Sequence, residues 1–180
     1  MAETGKKESD SNLTKGIFLV ASEKMDNSPL GKTVIYVTQH DHAGTSGFIV
    51  NRPTNVKINK AFPKIQASET TNNMLYFGGP LHSTYLFMLT QTQFSHGLHS
   101  IKDDIYFGAG DQVKMRLRSD NKRDKIRAYA GFMSWGPDQL DQEITNGNWL
   151  LTPAPIEQLF DQDTSKLWKT LYQRWGGSWI

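Results

Sequence analysis

Residues 131–149 read GFMSWGPDQLDQEITNGNW, and this stretch decides how the rest of the chain is arranged. It predicts the end of a strand over 125–135, a tight turn, a short helix and the start of a strand over 148–151. Pro137 suits the first turn of a helix, where a missing backbone N–H costs nothing. Gly147 suits the position just past the last helical residue, which glycine occupies without strain.

Apolar runs outside this stretch predict further strands, and amphipathic spacing predicts further helices. The strands are predicted at 16–21, 32–40, 46–51, 73–77, 85–91, 96–102 and 105–107, and the helices at 57–62, 111–118, 156–160 and 165–175. Short helices interspersed among strands, without strict alternation, indicate the α+β class. The length of 180 residues fits one domain, predicted over 14–180, after a polar tail over 1–13 that we expect to be disordered.

The composition excludes several classes of protein. The chain has no cysteine, which rules out disulfides, cysteine-ligated zinc and a thiol nucleophile. It carries 20 Lys and Arg against 18 Asp and Glu, so its net charge of +2 predicts no strong attraction to nucleic acid or to an anionic membrane. Its first residues lack the apolar core of a signal peptide, and its apolar runs fall far short of the roughly 20 residues of a membrane helix. A soluble cytoplasmic protein without membrane contact is the expectation.

Five segments together resemble a known family. They are GIFLVA at 16–21, KTVIYVTQHDHAGTSGFIVNRP at 32–53, YFGGP at 76–80, GFMSWGPDQLDQEITNGNWL at 131–150 and the Leu-Trp pair of the last helix. In this order and spacing the chain resembles the YqgE/AlgH family of small bacterial proteins, over about residues 15–176. Ser134 and Asp138 depart from the family's pattern, which commonly has glycine there.

The resemblance implies more about fold than about chemistry. It implies an α+β fold in which mixed, largely antiparallel sheets curl into a pseudo-barrel with short helices packed around it. It implies no catalytic residue set, because the family is largely uncharacterised. The family's label as transcriptional regulators rests on genetic association.

Gln139 and Glu143 are the two polar residues of the opening stretch that folding alone does not explain. They are four apart, so they share one face of the predicted helix, while Leu140 and Ile144 face the core. We expect a ligand- or partner-binding groove here, in which Glu143 and Arg52 form a charged pair. The groove residues are predicted to be Asn51, Arg52, Gly79, Pro80, Trp135, Gln139 and Glu143. The alternative is that Gln139 and Glu143 satisfy backbone groups of a neighbouring turn.

No catalytic residue is predicted. Ser46 and Ser134 each lack the pair of flanking glycines, two before and two after, that marks a nucleophile elbow. An enzyme, such as a small-molecule hydrolase, stays an alternative in which Glu143 is the acid. An open cleft beside a histidine would favour that alternative.

No metal and no cofactor is predicted either. His40 and His42 would lie on one face of a strand, and His96 and His99 are three apart, which are spacings that zinc sites use. A hairpin turn favours such polar residues without any metal, and this is the preferred interpretation. The glycines at 78–79 would suit either an anion-binding nest or a structural turn, of which the turn is preferred.

The segment over 114–127 concentrates positive charge. A regulator that contacts nucleic acid directly would place its basic side chains on phosphates, namely Lys114, Arg116, Arg118 and Arg123. The chain has no helix-turn-helix pattern and no zinc finger, and Val113 and Leu117 are predicted to be buried. A solvated helix followed by a turn is therefore preferred.

Taken together, the sequence predicts a non-catalytic binding or regulatory protein. Its partner is expected to be a protein or a small molecule rather than nucleic acid. The chain itself is expected to be a monomer or a weak homo-oligomer.

Overall fold

A computed structural model describes residues 12–68, 74–119, 123–160 and 163–175. Within these ranges the chain forms ten strands and five short helices. The strands are β1 Ile17–Ala21, β2 Val34–Asp41, β3 Gly44–Ile49, β4 Pro53–Lys57, β5 Met74–Phe77, β6 Leu81–Gln91, β7 His99–Lys102, β8 Ile105–Ala109, β9 Lys125–Trp135 and β10 Trp149–Pro153. The helices are α1 Ile58–Ala61, α2 Asp111–Arg118, α3 Gln139–Thr145, α4 Ile156–Phe160 and α5 Leu167–Trp175.

The strands form one curled, largely antiparallel sheet. Its main path runs β10-β1-β2-β3-β9-β6-β8-β7, and β5 joins β9 in parallel while β4 pairs with β5. The sheet curls into a half-barrel with the short helices around it. The predicted α+β class, with mixed and largely antiparallel sheets, is confirmed.

Both faces of the central strands are buried, which explains why they are continuous apolar runs rather than alternating ones. Phe18 packs with Tyr36 and Tyr129 on one face, and the helices α4 and α5 cover this cluster with Leu159, Leu167 and Leu171. The adjacent Leu19 belongs to a second cluster on the other face, with Ile35, Trp135 and Trp149. A third cluster contains Val113 and Leu117 of α2, both fully buried as predicted.

Several element boundaries differ from the sequence predictions, and three differences have a clear local reason. Strand β4 has no counterpart among the predicted strands, and Pro53 begins it because proline is tolerated as the first residue of a strand. Strand β6 begins at Leu81, before the predicted start at residue 85. Its first five residues are exposed and carry no alternating apolar pattern, so the sequence does not mark them as part of a strand. Helix α3 begins at Gln139, two residues after Pro137, because Asp138 has left-handed backbone angles with φ 59°. Gly147 lies just past α3 with φ 73°, as predicted.

The tail predicted over 1–13 lies outside the described residues, except for its last two. Of these, Leu13 is buried in the second cluster, so the packed part of the chain includes Leu13. Within the described ranges, none of the helices combines the length and the apolar character that crossing a membrane requires.

Candidate functional site

Glu143 joins the two tryptophans that flank α3. Its Oε2 accepts a hydrogen bond from Trp149 Nε1 at 2.7 Å and a second from Trp135 Nε1 at 3.2 Å. The two rings are perpendicular, with centroids 6.1 Å apart, and both side chains are buried. Because Trp135 ends β9 and Trp149 begins β10, this carboxylate fixes the helix between two strands.

The turn before α3 is held by a side chain of the helix itself. Gln139 Oε1 accepts a hydrogen bond from the backbone N–H of Gly136 at 3.0 Å. This confirms for Gln139 the alternative that it satisfies a turn's backbone. Asp138 makes no side-chain capping bond, and it adopts a left-handed conformation that glycine takes without strain.

The β2–β3 hairpin lies against this turn. Gly44 begins β3 with φ 133°, and a Cβ there would lie 2.2 Å from the carbonyl oxygen of Trp135. Only glycine therefore allows the hairpin to approach the end of β9 so closely. His40 Nδ1 and Thr45 Oγ1 lie 2.8 Å apart across the hairpin.

Asp41 is the acidic residue at the hairpin's tip. Its Oδ2 accepts a hydrogen bond from Gln39 Nε2 at 2.9 Å, and its Oδ1 accepts one from the Ala43 backbone N–H at 2.8 Å. These two bonds lower the pKa of the Asp41 carboxyl below its ordinary value, and the bond from Gln39 has the larger effect. The carboxylate is therefore ionised across the neutral range.

A cleft of about 340 Å³ separates the hairpin from the turn before α3. We call it the acidic cleft, because its lining includes three aspartates. The lining residues are His40, Asp41, His42, Gly44, Thr45, Pro137, Asp138 and Asp141.

A second cleft, of about 210 Å³, lies on the other side of the same hairpin. We call it the Phe132 cleft, and it shares Asp41, Gly44 and Thr45 with the acidic cleft. Its remaining lining residues are Gln39, Ala43, Ser46, Phe132, Ser134 and Trp135. The hairpin tip is therefore a ridge between two clefts.

A model of one protein family, described as AlgH-like, matches residues 18–180. The chain belongs to the AlgH-like family. The resemblance seen in the sequence is thereby confirmed.

Two relatives of this AlgH-like chain extend over most of its length. A UPF0301 protein of Methylococcus capsulatus is 31% identical over 161 residues, which cover 87% of this chain and 88% of the relative. A UPF0301 protein of Cytophaga hutchinsonii is 27% identical over 172 residues, which cover 93% and 92%. Neither name states an activity.

Two solved structures share the fold. The solution structure of the AlgH protein from Pseudomonas aeruginosa has a TM-score of 0.76 at 21% identity, covering 94% of this chain and 92% of that one. A crystal structure of a protein from Corynebacterium diphtheriae has a TM-score of 0.69 at 23% identity, covering 90% and 87%. At these identities the likeness concerns the fold alone.

The structure separates the residues of the predicted groove. Asn51 Oδ1 accepts a hydrogen bond from the Val34 N–H, and its Nδ2 donates to the Lys32 carbonyl. Arg52 Nη2 donates to the Pro29 carbonyl at 2.6 Å, and burial lowers the pKa of its guanidinium. The predicted charged pair of Arg52 with Glu143 is therefore not formed. Arg52 donates to a backbone carbonyl, and Glu143 accepts hydrogen bonds from two tryptophans.

The separation follows from the strand register. Thr45 lies opposite Trp135, and Asn51 lies six residues further along the chain. At about 3.3 Å per residue this places Asn51 about 20 Å from Trp135. Gly79 lies between these two ends, and a Cβ added to it would be 2.3 Å from the Phe132 carbonyl carbon. Pro80, the next residue, is exposed. Trp135, Gln139 and Glu143 alone lie together.

The predicted nucleic-acid residues form bonds within the chain. Lys114 pairs with Asp111 at 2.7 Å, and Arg116 pairs with Asp124 at 3.0 Å and also donates to the Phe94 carbonyl. Arg118 donates to the carbonyls of residues 64 and 65, and Arg123 also takes part in an interaction within the chain. Much of this segment's hydrogen-bonding capacity is thus used by the fold.

The histidines are distributed over different surroundings. His40 and His42 line the acidic cleft, whereas His99 stacks on Phe107 with centroids 4.6 Å apart. Within the part of the chain that the structure describes, no three His, Asp or Glu residues are grouped as a metal site would need. Sequence reasoning missed Asp141, although it lies three residues after Asp138 in a stretch predicted to be helical, where that spacing predicts a shared face.

Proposed function

We propose that this AlgH-like chain is a non-catalytic binding protein whose acidic cleft receives a Lys or Arg side chain of a partner protein. The observation that carries the proposal is that Asp41, Asp138 and Asp141 all line one cleft. These residues come from two separate parts of the chain: Asp41 from the β2–β3 hairpin, and Asp138 and Asp141 from the start of α3. A volume of about 340 Å³ is at the lower end of ligand sites and suits one side chain rather than a large ligand.

Electrostatics favours a cationic occupant. The eight lining residues include three carboxylates and neither Lys nor Arg. A cation about 4 Å from one carboxylate gains about 1 kcal/mol in water and about 4 kcal/mol near a protein surface. An anionic occupant would be repelled by the same groups, so the cleft discriminates by charge.

Hydrogen bonds next to the cleft hold its α3 side in place, which supports binding rather than catalysis. The Glu143 carboxylate is held by two buried indole donors, so the acid that an enzyme would use already supports the fold. The turn that presents Asp138 is fixed by the Gln139 side chain. A preorganised site of this kind loses little entropy when a partner binds.

A direct contact with nucleic acid is not proposed. The basic side chains that would contact nucleic acid instead form bonds to Asp111, Asp124 and backbone carbonyls. The acidic cleft itself would repel phosphates.

The test is a titration of the ¹⁵N-labelled chain with acetyl-Arg-Ala-Ala-amide, followed by amide NMR shifts. We expect saturable shifts around Gly44 and Asp138, and none with acetyl-Glu-Ala-Ala-amide. Asp138→Asn should weaken arginine-peptide binding by about 5-fold, which corresponds to about 1 kcal/mol. Asparagine tolerates the left-handed conformation as aspartate does, so the turn is kept.

Asp103→Asn is the matched control. Asp103 is also exposed and left-handed, with φ 50°, but it lies in the turn between β7 and β8. Its replacement should leave arginine-peptide binding unchanged. Equal shifts with the arginine and glutamate peptides, or equal effects of the two substitutions, would overturn the proposal.

A further inference from the structure

An exposed group of apolar side chains borders the Phe132 cleft. Leu81 lies opposite Phe132 on the neighbouring strand and is 43% exposed, and Tyr85 is 64% exposed. Exposed large apolar groups are unremarkable singly, but grouped beside a cleft they mark contact surfaces. We call Leu81, His82, Tyr85 and Phe132 the aromatic shelf.

The backbone arranges these rings for contact. Leu81 pairs with Phe132 and Leu86 pairs with Ala130, so residues 82–85 bulge out from the sheet opposite Gly131. His82 has φ 50°, a conformation that non-glycine residues rarely adopt. This angle stacks the His82 imidazole on Phe132 at 5.7 Å between centroids, and Tyr85 meets that imidazole edge-on at 5.8 Å.

The space beside the shelf suits one ring. Ser46 and Ser134 lie opposite each other on β3 and β9, and both line the Phe132 cleft. Their small side chains border a volume of about 210 Å³ beside Phe132, which is half-buried. An incoming aromatic side chain would add one more ring to a series that already runs from Tyr85 through His82 to Phe132.

We infer that the partner segment carries an aromatic residue two positions from its Lys or Arg, and that this aromatic ring occupies the Phe132 cleft. The inference rests on the proposed function, because the acidic cleft supplies the charge that selects the segment. Both clefts share Asp41, Gly44 and Thr45, so one extended segment crosses the hairpin tip to reach both.

Distances allow this crossing. Neighbouring strands lie about 5 Å apart, so the two strands of the hairpin separate occupants on its two sides by about 10–15 Å. Residues two apart in an extended segment have Cα atoms about 7 Å apart, and their side chains span the remainder.

The test compares two probes, acetyl-Arg-Ala-Trp-amide and acetyl-Arg-Ala-Ala-amide, by NMR titration of the intact chain. We expect the tryptophan peptide to bind at least about 5-fold more tightly, with additional shifts at Phe132 and Ser134. Phe132→Leu removes the ring that lines the cleft but keeps an apolar side chain, and it should remove most of this gain. Phe94→Leu is the control, because Phe94 lies outside both linings and outside the aromatic shelf, and it should keep the gain.

The outcomes distinguish the two proposals. If both peptides bind equally tightly and Asp138→Asn weakens both, the aromatic inference fails and the acidic cleft stands. If neither peptide binds, both proposals fail. If the tryptophan gain persists in Phe132→Leu, the Phe132 cleft is not its source and the inference is overturned.

Discussion

At the scale of single residues, the Glu143 carboxylate contributes most clearly to stability. It accepts hydrogen bonds from two indole N–H groups on tryptophans that are 4% and 2% exposed. Glu143→Ala leaves both buried donors without their acceptor, and each such loss costs about 1–3 kcal/mol. We therefore expect Glu143→Ala to lower the free energy of unfolding by about 2–6 kcal/mol, measured by urea denaturation.

Two further variants sharpen this prediction. Glu143→Gln keeps a carbonyl oxygen that can accept both bonds, so its cost should be only about 1 kcal/mol. Gln142→Ala changes an exposed neighbour on the same helix and should cost less than about 0.5 kcal/mol. An equal cost for all three variants would show that the two indole bonds contribute nothing.

Asp41 provides a prediction about pH. Its lowered pKa means that the folded chain favours the ionised carboxylate, chiefly through the Gln39 side chain. The resulting stabilisation is present above the unfolded pKa of about 3.9 and is lost as the pH falls through the folded pKa, hence below about pH 4. Gln39→Ala should raise the pKa of Asp41, measured by a carboxyl ¹³C NMR titration.

Asp111 is the internal reference for that titration. Lys114 lowers the pKa of Asp111, and Gln39 takes no part in that shift. The pKa of Asp111 should therefore stay unchanged in Gln39→Ala, and an unchanged pKa of Asp41 in that variant would contradict the assignment.

At the scale of elements, the hairpin's approach to β9 depends on Gly44. Gly44→Ala introduces both an unfavourable positive φ and a clash with the Trp135 carbonyl oxygen. Gly110→Ala is the control, because Gly110 has φ 60° but open space around its Cβ position. We expect a loss of about 1 kcal/mol for Gly110→Ala and at least about 2 kcal/mol for Gly44→Ala, by thermal unfolding. Equal losses would mean that the close approach is relieved at no cost.

Helix α4 is tied to the sheet by a buried arginine. Arg127 donates to the carbonyls of Leu159 and Phe160, at 2.6 and 3.0 Å, and its guanidinium lies 4.6 Å from the centre of the Tyr76 ring. The carbonyl end of a helix favours a cation, so Arg127 stabilises α4 by charge as well as by hydrogen bonds. Arg127→Met should cost about 1–3 kcal/mol and increase hydrogen exchange in α4. Arg174→Met, at an exposed site on α5, should do neither.

At the scale of the whole molecule, Arg127 and Glu143 stabilise different core clusters. Arg127 binds the end of α4, which packs in the first cluster, and Glu143 binds the two tryptophans of the second cluster. Arg127 and Trp135 are eight residues apart on β9, which corresponds to about 26 Å at 3.3 Å per residue. Sites this far apart, without shared partners, contribute additively to stability. The double variant Arg127→Met, Glu143→Ala should therefore lose the sum of the two single losses within about 0.5 kcal/mol in urea denaturation. A coupling above about 1 kcal/mol would show that the curled sheet transmits strain between its clusters.

The sequence by itself determined the elements whose signals are local. The run at 16–21 predicts a strand buried on both faces, and Phe18 and Leu19 indeed belong to opposite clusters. The spacing of Val113 and Leu117 predicts α2, and Gly147 marks the end of α3. Such signals succeed because backbone preference and apolar periodicity depend on neighbours within a few residues. The family and the α+β class follow from the order of these segments.

Only the tertiary structure decided which side chains meet. Strand register places Arg52 far from Glu143, and the pairing of β3 with β9 brings Asp41 to the same cleft as Asp138 and Asp141. The left-handed turns at Asp138 and His82 also carry no reliable local signal, since packing holds them against their intrinsic cost. Register and curl result from contacts between segments distant along the chain. The two clefts beside the hairpin are therefore properties of the fold, even though the stretch over 131–149 supplies much of their lining.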